Sequence, residues 1–343
     1  MLGSLPTSRC EDWCHGGAHA GSCLLPTSVH GGACSNCSFC AAHNETAYAT
    51  IVYGTGAPGL LSACSARVLG EALKSIDPSR HRIVIVDDTV PQTMRQLLTD
   101  GGLWTTFETE RLDSAGRKTP LWTLPFRRVF FMDADVFPIQ GVGEGPAAAE
   151  RRARRLNDLW RNRARVVATR DCRAGNRQSR CLNSGVLMIE PDPQLVRKID
   201  QMVSIRREWQ ASGHEQNFNQ FHAGHVFERC PFGYDQPPIN AALGVEWSGF
   251  RGQDTCHNGL VLGPLLGPYC LQGGESGPGV RDFYQRHTVY HAWATSTPLS
   301  RLDSSAIDLG DCRAVHNEYT REWWTIFNRT MTAPQQKMCL RGF

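Results

Sequence analysis

The stretch Arg127-Arg128-Val129-Phe130-Phe131-Met132-Asp133-Ala134-Asp135 decides the fold. Its apolar run is too short for a helix and rich in residues that suit a pleated sheet, so it predicts a buried strand. The strand runs straight into two carboxylates separated by one alanine. Working outward, Ala47 to Tyr53 and Arg82 to Val86 read as two earlier buried strands. Between them Leu60 to Ser75 carries apolar residues at helical spacing and stops at Asp77-Pro78. Pro91 to Leu98 reads as a helix ending at Gly101-Gly102. Downstream, Arg165 to Thr169, Gly185 to Ile189 and a short piece near Thr288 to His291 read as strands, with a helix from Gln194 to Trp209. Strand–helix alternation at this spacing predicts an α/β chain with a parallel, Rossmann-like sheet under covering helices. In such sheets ligands bind at the carboxyl ends of strands, which is where the Asp pair falls.

Composition bounds the function. The 343 residues are 41% hydrophobic and 20% charged, enough for a sizeable core and against long disorder. A formal net charge of +3 excludes a strongly basic nucleic-acid binder. No stretch approaches the ~18–20 apolar residues of a membrane span, and Met1 to Ser8 lead into polar, Cys-rich sequence rather than an apolar leader. Those two features alone suit a cytoplasmic chain. Fourteen cysteines and the sequons at Asn36, Asn44 and Asn328 instead suit an oxidising lumen, such as the Golgi, or the cell exterior, with disulfides and attached glycans.

Residues 1–46 hold six of those cysteines (Cys10, Cys14, Cys23, Cys34, Cys37 and Cys40) among Gly, Ser, His and Ala. No hydrophobic period is visible there, so cross-links must hold any structure it has. It reads as a disulfide-stapled extension; the alternative is zinc on Cys34, Cys37 and Cys40 with Cys14 or a nearby His. Residues 47–343 read as one domain. Within it, 140–165 looks like an insertion with seven arginines from Arg151 to Arg165. It is either a solvated helix face or a basic patch for anionic groups. The last third, rich in Gly and Pro and holding Cys230, Cys256, Cys270, Cys312 and Cys339, reads as irregular.

Asp133 and Asp135 at the end of a buried strand would repel each other unless a cation joined them. A hard divalent ion such as Mn²⁺ or Mg²⁺ prefers such oxygens and carries substrate phosphates; two turn-forming aspartates are the alternative.

Several blocks then resemble glycosyltransferase family 8, the glycogenin-like transferases. They are Ala47-Tyr48-Ala49-Thr50 with Val68-Leu69-Gly70-x-x-Leu73, and Lys118-x-x-x-Trp122-x-Leu124 with the strand quoted first. Asn183-Ser184-Gly185-Val186 with Glu190-Pro191, then Glu215-Gln216-x-x-Asn219, Phe232-Gly233-Tyr234 and Val289-Tyr290-His291 follow in family order. The opening is similar to the plant glucuronosyltransferase-like and glycogenin-like branch.

The resemblance implies a GT-A fold and a retaining, Mn²⁺-dependent (or Mg²⁺-dependent) transfer of a hexosyl, pentosyl or uronosyl group from a UDP-sugar to a glycan, glycoprotein or glycolipid acceptor. Carried over by position, Asp133, Asp135 and His291 bind the metal. Thr50, Tyr53, Lys118, Asp133, Ala134, Asn183 and Gln216 contact the donor. Lys118, Asn183, Glu215 and Gln216 serve the chemistry, with Glu215 standing where the family more often has Asp. Two departures remain. The loop Gly54 to Gly59 is expanded, and the family's diphosphate-binding lysine is replaced in His291-Ala292-Trp293-Ala294-Thr295-Ser296-Thr297-Pro298 by Thr297, so Arg301 or another cation must replace it or donor binding is weakened. The competing reading is a non-catalytic member of the fold that binds partners through its Cys-rich extension.

Overall fold

The structure is a computed structural model and describes residues 46–110, 116–138, 146–170, 182–211, 235–244, 248–249, 289–291 and 313–341. The first unit is β1 (Thr46–Val52), α1 (Gly56–Ile76) and β2 (His81–Asp87). Then come α2 (Gln92–Thr99), β3 (Thr105–Thr109), β4 (Arg128–Met132) and β5 (Val136–Pro138). α3 (Pro146–Leu159), β6 (Val166–Arg170), β7 (Leu182–Ile189) and α4 (Pro193–Ala211) follow. The last described elements are α5 (Gln236–Leu243), β8 (Ser248–Gly249), β9 (Val289–His291), α6 (Arg313–Thr330) and α7 (Ala333–Leu340).

One seven-stranded sheet runs in the order β3-β2-β1-β4-β7-β6-β8, and β5 pairs with β9 in a separate ribbon. β1 is flanked in parallel by β2 and β4, so both its edges are paired, and with helices over both faces six of its seven residues are buried. Alternation divides the core. Tyr48, Val52, Phe130 and Met132 pack with α1, α2 and α6 on one face. Ala47, Ala49, Ile51, Val129 and Phe131 pack with Trp122 and with α4 and α5 on the other.

Four features depart from the sequence expectation. β7 is antiparallel to both β4 and β6, so the sheet is mostly rather than wholly parallel. β3 was not anticipated; it is an edge strand whose only buried residue is Phe107, so no buried apolar run announces it. The arginine-rich segment is no appendage. α3 makes the crossover that a β6 parallel to β4 requires, and it plants Leu156 in the core. Its outer side is solvated, with Arg154 and Glu150 exposed and paired at 2.7 Å. The chain end is not irregular throughout: α6 buries Trp323, Ile326 and Phe327, a helical stripe, against α1.

A disulfide joins Cys64 of α1 to Cys339 of α7 across 275 positions. The other cysteines, including all of 1–46, lie outside the described residues. Among the described residues no helix is long and apolar enough to cross a membrane.

Candidate functional site

The site grows from the carboxyl end of β4. Asp133 N–H donates to Gly185 O of β7 at 2.8 Å, and Val136 N–H donates to Asp133 O at 2.9 Å. The first bond extends the ladder and the second closes a tight turn, which brings Asp133, Ala134 and Asp135 onto the rim. β5 leaves that turn and pairs with β9, with Val136 opposite His291. The backbone of His291 therefore lies beside the acidic pair, although the two are far apart in the chain.

Lys118 sits one residue before a short 3₁₀ turn, Thr119–Thr123, that Leu121 and Trp122 anchor in the core. Its ammonium is buried and lies 2.9 Å from Asp133 Oδ2, 3.0 Å from Asp235 Oδ2, 2.9 Å from Ser184 O and 3.2 Å from Ser184 Oγ. Four acceptors use the three ammonium protons fully. Burial by itself would lower this pKa. The charges of Asp133 and Asp235 and their hydrogen bonds outweigh it, so the pKa ends above the usual lysine range. Lys118 therefore stays a cation and cannot take up a proton; its work is electrostatic.

Asp235 immediately precedes α5, which clips onto β7. Gln236 Oε1 accepts from Ser184 N at 3.2 Å. Asn240 Oδ1 accepts from Leu182 N at 2.8 Å while its amide donates to Leu182 O at 3.2 Å. These bonds satisfy a stretch of β7 that runs past the end of β4, and they hold Asp235 over Lys118.

A cleft of about 260 Å³ opens between the end of β1, α1 and the β4 turn. Tyr53, Arg117, Lys118, Asp133, Ala134, Asp135 and Asp235 all line it. Arg117 places its guanidinium 3.6 Å from the centre of the Tyr53 ring and donates to the phenol oxygen. Burial pushes the Tyr53 phenol up, opposed by Arg117, so it stays protonated at neutral pH. Three carboxylates against two cations leave the charged lining one unit negative.

Of the residues expected from sequence, Tyr53, Lys118, Asp133, Ala134 and Asp135 meet in this cleft. Thr50 is wholly buried within β1, and its hydroxyl has no hydrogen-bond partner among the described residues. Asn183 is buried on β7, where its side chain accepts from Gly185 N at 2.8 Å. Glu215, Gln216, Thr297 and Arg301 lie outside the described residues. Sequence reading missed Asp235 and Arg117. The signal for Asp235 was another acidic-Gln pair, directly after Phe232-Gly233-Tyr234 and followed by Pro237-Pro238, a helix-opening pattern.

No family model and no curated protein matches this chain. Solved structures do. The galactosyltransferase LgtC, in complex with donor and acceptor sugar analogs, superposes with a TM-score of 0.51 at 12% identity over 85% of this chain and 99% of that one. An active-site mutant of LgtC superposes with a TM-score of 0.50 at 13% identity over the same shares of 85% and 99%. The fold is that of the GT-A glycosyltransferases. At such identities the likeness speaks for the architecture, and the chemistry must be argued from the cleft.

Proposed function

We propose that this chain is a metal-dependent glycosyltransferase that takes a sugar from a UDP-sugar and passes it, with retention at the anomeric carbon, to a glycan, glycoprotein or glycolipid. The observation that carries the reading is the acidic rim at the carboxyl end of β4, set in a GT-A fold beside a cleft of net negative charge. A sugar nucleotide brings a diphosphate, which such a lining would repel. The site thus calls for a cation to join carboxylates to phosphates.

Among the described residues no three ligating side chains already converge on a metal position; the residues that would hold one are these. Asp133 and Asp135 line the cleft, and β9 brings His291 to the same turn. Each carboxylate can accept about four hydrogen bonds or metal contacts, so the Lys118 ion pair does not exhaust Asp133. Carboxylate oxygens with one imidazole suit Mn²⁺ and, less well, Mg²⁺. When bound, the ion would supply Lewis-acid stabilisation of the departing diphosphate.

The chain's own residues do the rest. Lys118 fixes Asp133 and Asp235 in one geometry and adds a positive charge to a site where negative charge grows. Asp235, held by that ammonium and by α5, offers acceptor oxygens to sugar hydroxyls. Arg117 and Tyr53 form the wall toward the nucleotide. Retention is assigned to attack from the face of departure, the leaving phosphate oxygen taking the acceptor proton. A glycosyl adduct trapped on Glu215 or Asp235 would refute that assignment.

The secretory lumen is the proposed compartment, supported by the Cys64–Cys339 disulfide and by the exposed sequon residue Asn328 in α6.

The test is UDP release from a panel of UDP-sugars, with Mn²⁺ and with chelator, for wild type and Asp135→Ala. Metal-dependent release from one donor, reduced ~100-fold or more in the variant, is expected. No turnover and no donor-dependent thermal shift with any UDP-sugar would return the chain to the non-catalytic, partner-binding reading.

A further inference from the structure

The cleft holds two cations in very different circumstances. Lys118 is neutralised by two carboxylates at 2.9 and 3.0 Å. Arg117, next to it in the chain, pairs with no carboxylate among the described residues. One of its terminal nitrogens donates to Tyr53, its guanidinium carbon lies 3.6 Å from the ring centre, and its buried Nε–H has no acceptor among the described residues. A buried charged donor left without a partner is unfavourable unless something that binds there completes it. The stack on Tyr53 and the anchored turn that follows hold the fork in one place, so little side-chain freedom remains to be lost on binding.

A planar guanidinium with unused N–H groups matches a pair of oxyanion oxygens. We infer that Arg117 is the diphosphate clamp of this cleft, doing the work that Thr297 cannot do for want of a charge. The inference rests on the UDP-sugar reading above and adds the group that holds the phosphates. Lys118 is a poor candidate for that task, because its three protons already have acceptors. Arg117 also changes the charge balance. Without it, the charged lining would fall from one to two units negative and repel a diphosphate more strongly. The rival ligand for such a fork is the carboxylate of a uronic-acid donor, which the same experiment separates.

Calorimetric titration of uridine, UMP, UDP and UDP-glucuronate into the full chain with Mn²⁺ tests this, using wild type, Arg117→Gln and Arg117→Lys. Wild type should bind UDP much more tightly than uridine. Arg117→Gln should lose ~10–100-fold in UDP affinity, the range of one or two charge-assisted hydrogen bonds, while its uridine affinity moves less than about threefold. Unchanged uridine binding also shows that the variant is folded. Arg117→Lys should recover part of the loss.

A glutamine variant that keeps the full gain from uridine to UDP overturns the inference while leaving the glycosyltransferase reading intact. Equal losses for uridine and UDP overturn it too, because Arg117 would then act only by positioning Tyr53. A loss confined to UDP-glucuronate assigns the fork to the sugar carboxylate and also overturns it. Wild type that binds no UDP brings down the parent reading along with this one.

Discussion

Lys118 is the residue on which the site turns. Breaking a buried ion pair by deleting one partner costs about 3–5 kcal/mol, because the remaining charges stay buried without compensation. Here two carboxylates share one ammonium, and Asp133 is about a third exposed, which places the expectation at the lower end. Lys118→Met should therefore lose ~2–4 kcal/mol in urea unfolding at pH 7. The pH dependence has a definite sign. The folded pKa of Lys118 lies above the unfolded value of about 10.4, so its stabilisation is complete below that value and is lost as pH rises through the folded pKa. The gap between wild type and variant should be flat from about pH 7 to 9 and narrow above about pH 10.5. A gap already closing at pH 8 would contradict the buried ion-pair assignment. Sequence placed Asp133 and Asp135 in the site because they directly follow one buried strand, and Lys118 because the family resemblance carries it there. Asp235 escaped because its partnership with Lys118 joins residues on two elements with no local pattern in common.

At the scale of elements, α1 shows how a motif residue serves packing. Gly70 lies where a Cβ would stand 2.3 Å from Trp104 Nε1 and 2.7 Å from Trp104 Cε2. The indole donates to Ala66 O at 3.0 Å, so it cannot retreat without breaking that bond. Overpacking of this kind costs about 1–3 kcal/mol, against the ~1 kcal/mol that alanine gains over glycine in a helix. Gly70→Ala should thus be net destabilising by up to ~2 kcal/mol, read as a lower denaturant midpoint. A higher midpoint would mean that Trp104 can repack. Long elements with a clear period, such as α1, β1, β2 and α4, were legible to within a few residues. β3 was not, since an edge strand buries too little to show an apolar run. α6 lies in the last third of the chain, whose many Gly and Pro residues read as irregular, and was overlooked.

For the molecule as a whole, the Cys64–Cys339 bond closes a loop of 275 positions and, among the described residues, ties the last helix to the first. Chain-entropy reasoning assigns such a long loop about 5 kcal/mol, and measured losses on removal run at about 2–5 kcal/mol. Replacing both cysteines by alanine should lower stability within that range, seen as a drop in melting temperature that reductant reproduces in wild type. A non-reducing peptide map lacking the Cys64–Cys339 pair would refute the linkage.

The amino-acid sequence by itself determined that this is an α/β chain with its acidic pair at the end of a central strand. Periodicity and strand length are local properties, and each segment carries its own. Tertiary structure alone decided that β7 runs antiparallel, that α5 hangs Asp235 over Lys118, that β9 returns His291 to the β4 turn, and that α7 is bonded to α1. Those choices depend on which distant surfaces bury one another and which buried polar groups find partners. No local pattern contains that information.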